Sequence, residues 1–225
     1  MSKYELNLCH LYGNLLNTYG DQGNVLVLKH IAKKNGIDLN VEIISIHEPF
    51  EPGKYDLVFF GGGQDFEQTV VAEDLPTKAS GITQYIETGG VMLAICGGYQ
   101  FLGHHYEGAQ GEKIKGISAI DFHTESQVNN RFIGDTKMTS EFGGEMFGFE
   151  NHNGRTFLGE GVCPLGTLTM GKGNNGEDGG EGVHYKNTFG SYFHGPILAR
   201  NAKFAAELLK LAISNKYGET IEIVE

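Results

Sequence analysis

Residues 91–102 read VMLAICGGYQFL. Five apolar residues run into Cys96, two glycines follow, and YQFL continues in a helix-like pattern. An unbroken apolar run after the turn signal Gly89-Gly90 predicts a strand buried on both faces, as in a parallel sheet. A strand that passes through one residue into a helix makes a sharp elbow, which lifts that residue's side chain to the carboxyl end of the sheet. G-x-S-x-G provides the same geometry in hydrolases. A Cβ at Gly97 or Gly98 would collide with a neighbouring strand or helix, and the Cys96 sulfur would sit at a helix N-terminus, whose partial positive charge favours thiolate. The elbow alone leaves a second reading open, in which Cys96 is a small buried hydrophobe closing a strand.

Upstream, LVFF leads into Gly61-Gly62-Gly63-Gln64-Asp65, again an apolar strand ending in glycine. In an open α/β sheet two such strand ends lie side by side at the ligand crevice. Backbone N–H groups of Gly62 or Gly63, with that of Gly97, are then candidates for an oxyanion hole; an ordinary tight turn is the alternative. YELNLCHLY (4–12) alternates as a first strand, Asp21 is a candidate N-cap for a helix to about Asn35, and Gly36 stops it. LNVEIISI (39–46) alternates again, 76–88 reads as a helix, and FAAELLKLAISNKYG closes the chain as an amphipathic helix ended by Gly218. Strands separated by helix-length segments predict an α/β fold with a mostly parallel central sheet flanked by helices. Between about 115 and 170 the pattern changes to short pieces such as GISAI, KMTS and TFLG, which predict an antiparallel extension of that sheet. No Pro/Ser-rich stretch or long charge run divides the chain, so residues 1–225 are expected to form a single domain.

With 17 Lys and Arg against 28 Asp and Glu, the formal net charge is -11. An acidic chain without a basic stripe repels phosphate backbones, which argues against nucleic acid as a partner. No run of about 18 apolar residues exists for a membrane span, and the N-terminus lacks a signal-peptide pattern. Three scattered cysteines, Cys9, Cys96 and Cys163, form no CxxC pair; they suit a reducing cytoplasm and offer no zinc site. Adjacent His104 and His105 lack the i, i+3 or i, i+4 spacing of a helical metal pair, so no metal is expected. GTLTMGK (166–172) fits G-x-x-x-x-G-K, but Gly173 replaces the Ser or Thr that would hold magnesium. GKGNNG (171–176) fits G-x-G-x-x-G, yet acidic EDGGEG follows in place of a helix. This glycine-rich stretch reads instead as a turn or partner-contact segment, and the charges of Glu177–Glu181 as a solvated loop.

A thiol nucleophile needs a base, and the chain has nine histidines. His194, in FGSYFHGPIL, falls at the end of a strand-like stretch that Gly195-Pro196 terminates. His152, in GFENHNGRT, is the competitor, and sequence position leaves both in play.

Together these residues resemble class I glutamine amidotransferases, in which C-G-x-x-Q is matched by Cys96, Gly97 and Gln100. GFENHNGRT (148–156), YGDQGNVLVLKHIAKKNGI (19–37) and GNNGEDGGEGVHYKNTFGSYFHGPIL (173–198) narrow the likeness to the cobyric-acid-synthase-like branch, and within it to the glutaminase subunits of lipid II isoglutaminyl synthases. The resemblance covers nearly the whole chain. It implies a flavodoxin-like three-layer fold and a Cys96–His194 glutaminase that releases ammonia from L-glutamine. Gln100 would help hold the substrate, Arg131 would take its carboxylate in bidentate fashion, and Gly62 or Gly63 with Gly97 would hold the oxyanion. It also implies a heterodimer with a Mur-ligase-like synthetase (MurT), cytoplasmic and brought to the inner membrane face through the complex. That partner would use ATP and magnesium to amidate the D-glutamate of lipid II, with no cofactor in this chain. A glutaminase of a cobalamin-type amide synthase is the alternative, disfavoured because a fused N-terminal synthetase domain would be expected; a silent module of the same fold is disfavoured by intact Cys96, Gln100 and His194. One departure stands out: many class I domains place Glu two residues after the catalytic His, and here that position is Pro196. The resemblance implies that the partner supplies the missing carboxylate.

Overall fold

In the computed structural model, which describes residues 3–108, 111–127 and 129–225, the apolar runs assemble one six-stranded sheet. The chain forms β1 (Tyr4–Leu11), α1 (Gln22–Lys34), β2 (Ile37–Ile44), β3 (Leu57–Phe60), α2 (Asp65–Asp74), α3 (Ala79–Glu87), β4 (Val91–Ile95) and α4 (Gly97–Leu102). There follow β5 (His105–Glu107), β6 (Lys113–Lys115), β7 (Phe122–Ser126), β8 (Phe132–Ser140), β9 (Gly144–His152), β10 (Gly154–Leu158), β11 (Gly166–Met170) and β12 (Gly180–Glu181). The chain then returns to the central sheet with β13 (Val183–Tyr185) and β14 (Thr188–Ser191), and ends in α5 (Ile197–Arg200) and α6 (Ala202–Tyr217).

The central order is β13-β14-β4-β3-β1-β2, parallel throughout except at β13. Because strand side chains alternate, each buried strand feeds two cores. Leu57 and Phe59 of β3, with Val91, Leu93 and Ile95 of β4, face a core shared with α1 and α6. Val58 and Phe60, with Met92 and Ala94, face the opposite core, to which α2, α3 and α4 contribute Val71, Ile82, Ile86 and Phe101. Each large apolar side chain buried in this way contributes about 1.5–3 kcal/mol relative to exposure. α1 buries Val25, Leu28, Ile31 and Ala32 along one stripe, and α6 ends as expected at Gly218, whose φ of +68° makes the left-handed cap.

The antiparallel region is organised differently from the expectation. Only β13 extends the central sheet in antiparallel sense; residues 105–181 build two further four-stranded sheets, β10-β7-β5-β6 and β12-β11-β8-β9. The reason lies in the nine-residue β8–β9 pairing, whose inward residues Met138 and Met146 join the α1/α6 core and so hold the hairpin over the helical layer, away from the sheet edge. GISAI forms no strand. α2 was not expected, because DFEQTVVAED buries only Gln68, Val71 and Asp74 and carries little helical apolar pattern. Among the described residues no helix is long and apolar enough to cross a membrane.

Candidate active site

Four adjacent parallel strands, β14, β4, β3 and β1, end on the same side of the sheet, and each hands over to one part of the site. β14 leads to Tyr192–His194, β4 to Cys96, β3 to Gly61–Gly63, and β1 to the loop ending at Asp21. From β1 the sheet grows one way to β2 and the other way to β3, and such a switch point opens a crevice at the strand ends.

Cys96 has φ 49° and ψ -106°, between β4 and α4. A non-glycine residue there is strained by on the order of 1–3 kcal/mol, and its N–H bonds Ser191 O at 2.9 Å, locking the elbow to β14. Gly98 behaves as expected, since a Cβ there would lie 2.4 Å from Phe60 O, whereas one at Gly97 would meet only the Gln68 side chain, 2.7 Å from Nε2. The electrostatic expectation is corrected. Burial pushes the Cys96 thiol up to about 12, the nearby Asp21 carboxylate adds to this, and the Gly97 N–H and Arg131 only partly oppose it. The end of a six-residue helix does not outweigh desolvation, so the resting group is a thiol and a base must take its proton.

His194 lies three residues beyond β14, bridged to β9 by its N–H to Phe149 O at 2.9 Å. Its ring is buried, with Tyr19 against it at 4.7 Å between centroids. Neither ring nitrogen has a hydrogen-bond partner among the described residues. Desolvation, helped by Arg131, lowers its pKa to about 4. Facing Nδ1 at 4.0 Å is Oδ1 of Asp21, which also lacks a hydrogen-bond partner. Asp21 precedes α1 as expected but makes no side-chain cap; it is fully buried, and Oδ2 accepts the Gly62 N–H at 2.6 Å. Burial lifts its carboxyl to about 7. Sequence reasoning assigned Asp21 to the helix and missed its place in the site.

A cleft of about 480 Å³ opens over these strand ends, lined by Tyr19, Gly63, Cys96, Gln100, Arg131 and His152 among others. Gln100 is buried and donates to Tyr192 Oη at 3.2 Å. Arg131 is exposed and donates through Nε to Asn151 Oδ1 and through Nη2 to Asn151 O. His152 stacks flat on Tyr192 at 3.7 Å, its Nδ1 against Gly154 O at 2.9 Å. Burial, with Arg155, His194 and Arg131 nearby, lowers its pKa to about 3. Among the described residues no carboxylate is paired with His152, whereas Asp21 faces His194 at 4.0 Å, which favours His194 as the base. The remainder of GFENHNGRT is a frame: Glu150 accepts the N–H groups of Lys172 and Gly173 at 2.9 Å each, and buried Arg155 donates to the carbonyls of Asn153, Gly154 and Asn130.

The stretch from Gly171 turns as expected, but the reading of Glu177–Glu181 as a solvated loop is corrected. Asn174 and Asn175 are buried, and Glu181 is fully buried, accepting the Tyr192 N–H at 2.6 Å and the Ser191 hydroxyl at 3.2 Å. Only part of the acidic run is a solvated loop; the rest braces the segment that carries His194. No helix follows Gly176, so neither nucleotide motif has its structural context. No three His, Cys, Asp or Glu side chains converge as a metal site among the described residues.

A strained cysteine elbow and a buried histidine following adjacent strand ends, at the carboxyl side of a doubly covered sheet, fit the glutamine amidotransferases. The profile of the CobB/CobQ-like glutamine amidotransferase domain matches residues 7–202, and the chain belongs to that family. It is 55% identical over 221 residues to the lipid II isoglutaminyl synthase (glutamine-hydrolyzing) subunit GatD of Streptococcus pneumoniae R6, across 98% of this chain and 85% of that one. The GatD subunit of Staphylococcus aureus N315 is 42% identical over 213 residues, across 95% of this chain and 86% of that one. Among solved structures, PurLQS from Thermotoga maritima shares the fold, with a TM-score of 0.61 at 16% identity over 93% of this chain and 98% of that one.

Proposed function

We infer that this chain is the glutaminase subunit of a lipid II isoglutaminyl synthase, supplying ammonia to a Mur-ligase-like partner that amidates D-glutamate. Cys96 Sγ attacks the side-chain amide carbon of L-glutamine while His194 takes the thiol proton, which a thiol held near 12 requires. The tetrahedral oxyanion is met by backbone N–H groups of Gly63 and Gly97; the Gly62 N–H is already donated to Asp21. Collapse expels ammonia, protonated by His194, and leaves a γ-glutamyl thioester on Cys96. Water, deprotonated by the same imidazole, releases glutamate and restores the thiol. Gln100 lines the substrate's path and Arg131 pairs with its α-carboxylate. ATP and magnesium act on the partner subunit.

The observation that carries this reading is the strained Cys96 elbow opening into a polar cleft, with buried His194 three residues beyond the neighbouring strand β14. It is tested by measuring ammonia release from L-glutamine with and without the Mur-ligase-like subunit, for the wild type and Cys96→Ala. The expected result is release that depends on Cys96 and rises with the partner. Absence of release from the wild-type complex would overturn the reading.

A further inference from the structure

Phe149 of β9 exchanges backbone hydrogen bonds with His194, donating its N–H at 3.3 Å and accepting the His194 N–H at 2.9 Å. Because strand side chains alternate, Asn151 shares the Phe149 face, while Glu150 and His152 turn to the buried one. The pairing of β9 with the base therefore fixes where Asn151 stands. Its polar groups form one bridge. Oδ1 accepts from Arg131 Nε, the carbonyl oxygen accepts from Arg131 Nη2 at 3.1 Å, and Nδ2 donates to Tyr19 Oη. Tyr19 lies against the His194 ring at 4.7 Å between centroids, with a left-handed φ of 57° and ψ of 24°. Tyr19, Asn151 and Arg131 all line the cleft over Cys96.

Resting on the glutaminase reading and on Arg131 as the group that meets the substrate's α-carboxylate, we propose that Asn151 is the positioning residue of that contact. It aims the Arg131 guanidinium and so sets the preference for glutamine with a free α-carboxylate. An exposed arginine left to itself samples many rotamers, few of which present its fork to a given point. Two bonds to one residue, one to its side chain and one to its backbone, remove that freedom before substrate arrives. Both bonds go to neutral amide oxygens, so Arg131 keeps its charge for an anionic ligand. Nη1 and the second proton of Nη2 remain as a donor pair, the arrangement that takes a carboxylate bidentately. The third bond holds Tyr19 in a backbone conformation that a residue with a Cβ rarely adopts. One amide thus braces both the group that binds substrate and the ring that covers the base.

The test compares kcat/KM of the complex with the Mur-ligase-like subunit for L-glutamine and for L-glutamine α-amide, which offers the same scissile amide without the carboxylate. Asn151→Ala should lower the value for L-glutamine by roughly 10-fold or more, chiefly through KM. The value for the α-amide should fall by less than about threefold, a change that the lost Tyr19 bond imposes on both substrates alike, so the preference for the free carboxylate shrinks. Arg131→Lys should cost less in the Asn151→Ala background than in the wild type, because both changes act on one contact. Equal losses for the two substrates, with the cost of Arg131→Lys unchanged, would make Asn151 a structural residue only and overturn the proposal. Should Asn151→Ala not fold, Asn151→Leu, close in volume and without the two side-chain polar atoms, carries the same expectations. A wild-type complex indifferent to the α-carboxylate would overturn the proposal together with the role of Arg131. One that releases no ammonia from L-glutamine would remove the glutaminase reading beneath both.

Discussion

Cys96 combines backbone strain, partial burial and a thiol pKa pushed up to about 12, and each has a cause in adjacent residues. The elbow was legible because an apolar strand, one residue and two glycines constrain local geometry almost completely. His194 was legible only as one of two candidates, since nothing in the sequence says which strand end lies beside β4. Asp21 was hidden for the same reason: an aspartate before a helix is equally a cap, and only the packing of β1 against β3 turns it toward the site. Arg131 is exposed at the rim of the cleft and spends Nε and one Nη on Asn151, which leaves its other Nη without a protein hydrogen-bond partner among the described residues. Arg131→Lys should lower kcat/KM for glutamine by roughly 10- to 100-fold, chiefly through KM, because a point charge cannot reproduce the fork. Steady-state kinetics at varied glutamine checks this, and an unchanged KM would remove Arg131 from substrate binding.

At the scale of elements, β9, β10 and the glycine-rich stretch form the frame that the sequence concealed. Buried carboxylates read as loop charges because burial is a property of the assembled chain. Glu181 accepts three hydrogen bonds or close contacts from Ser191 and Tyr192, yet desolvation dominates and lifts its pKa from 4.5 to about 8. A raised carboxyl pKa means that the folded protein holds this proton more tightly than the unfolded chain. The stability it gives is complete below 4.5 and is lost as pH rises toward 8. Glu181→Gln keeps an acceptor for the Tyr192 N–H and removes the titration. The wild type should therefore lose melting temperature relative to Glu181→Gln between pH 4.5 and 8, and parallel profiles would show that Glu181 does not titrate there. Arg155 is the frame's cationic counterpart, buried over the Phe132 ring and tied to the Asn130 carbonyl beside Arg131. Arg155→Ala should destabilise the protein by about 2–4 kcal/mol in denaturant unfolding, as three carbonyls lose their donor; a loss under 0.5 kcal/mol would contradict that role.

Across the whole molecule, the parallel sheet and its two helical layers follow from strand runs that are apolar on both faces, and these were readable from LVFF and VMLAI. The antiparallel sheets were not placed correctly, because a strand pattern fixes which face is buried without fixing which core receives it. What the architecture achieves is the alignment of four strand ends, so that Cys96, His194, the Gly61–Gly63 turn and Asp21, from distant parts of the sequence, come to one side of the sheet. The most direct test of that account is to treat the protein with a glutamine-mimicking diazoketone and locate the adduct by peptide mass spectrometry. The account predicts a single adduct on Cys96, blocked by excess L-glutamine and much slower in His194→Ala. Modification of Cys9 or Cys163 in its place, or labelling of Cys96 at an unchanged rate without His194, would contradict it.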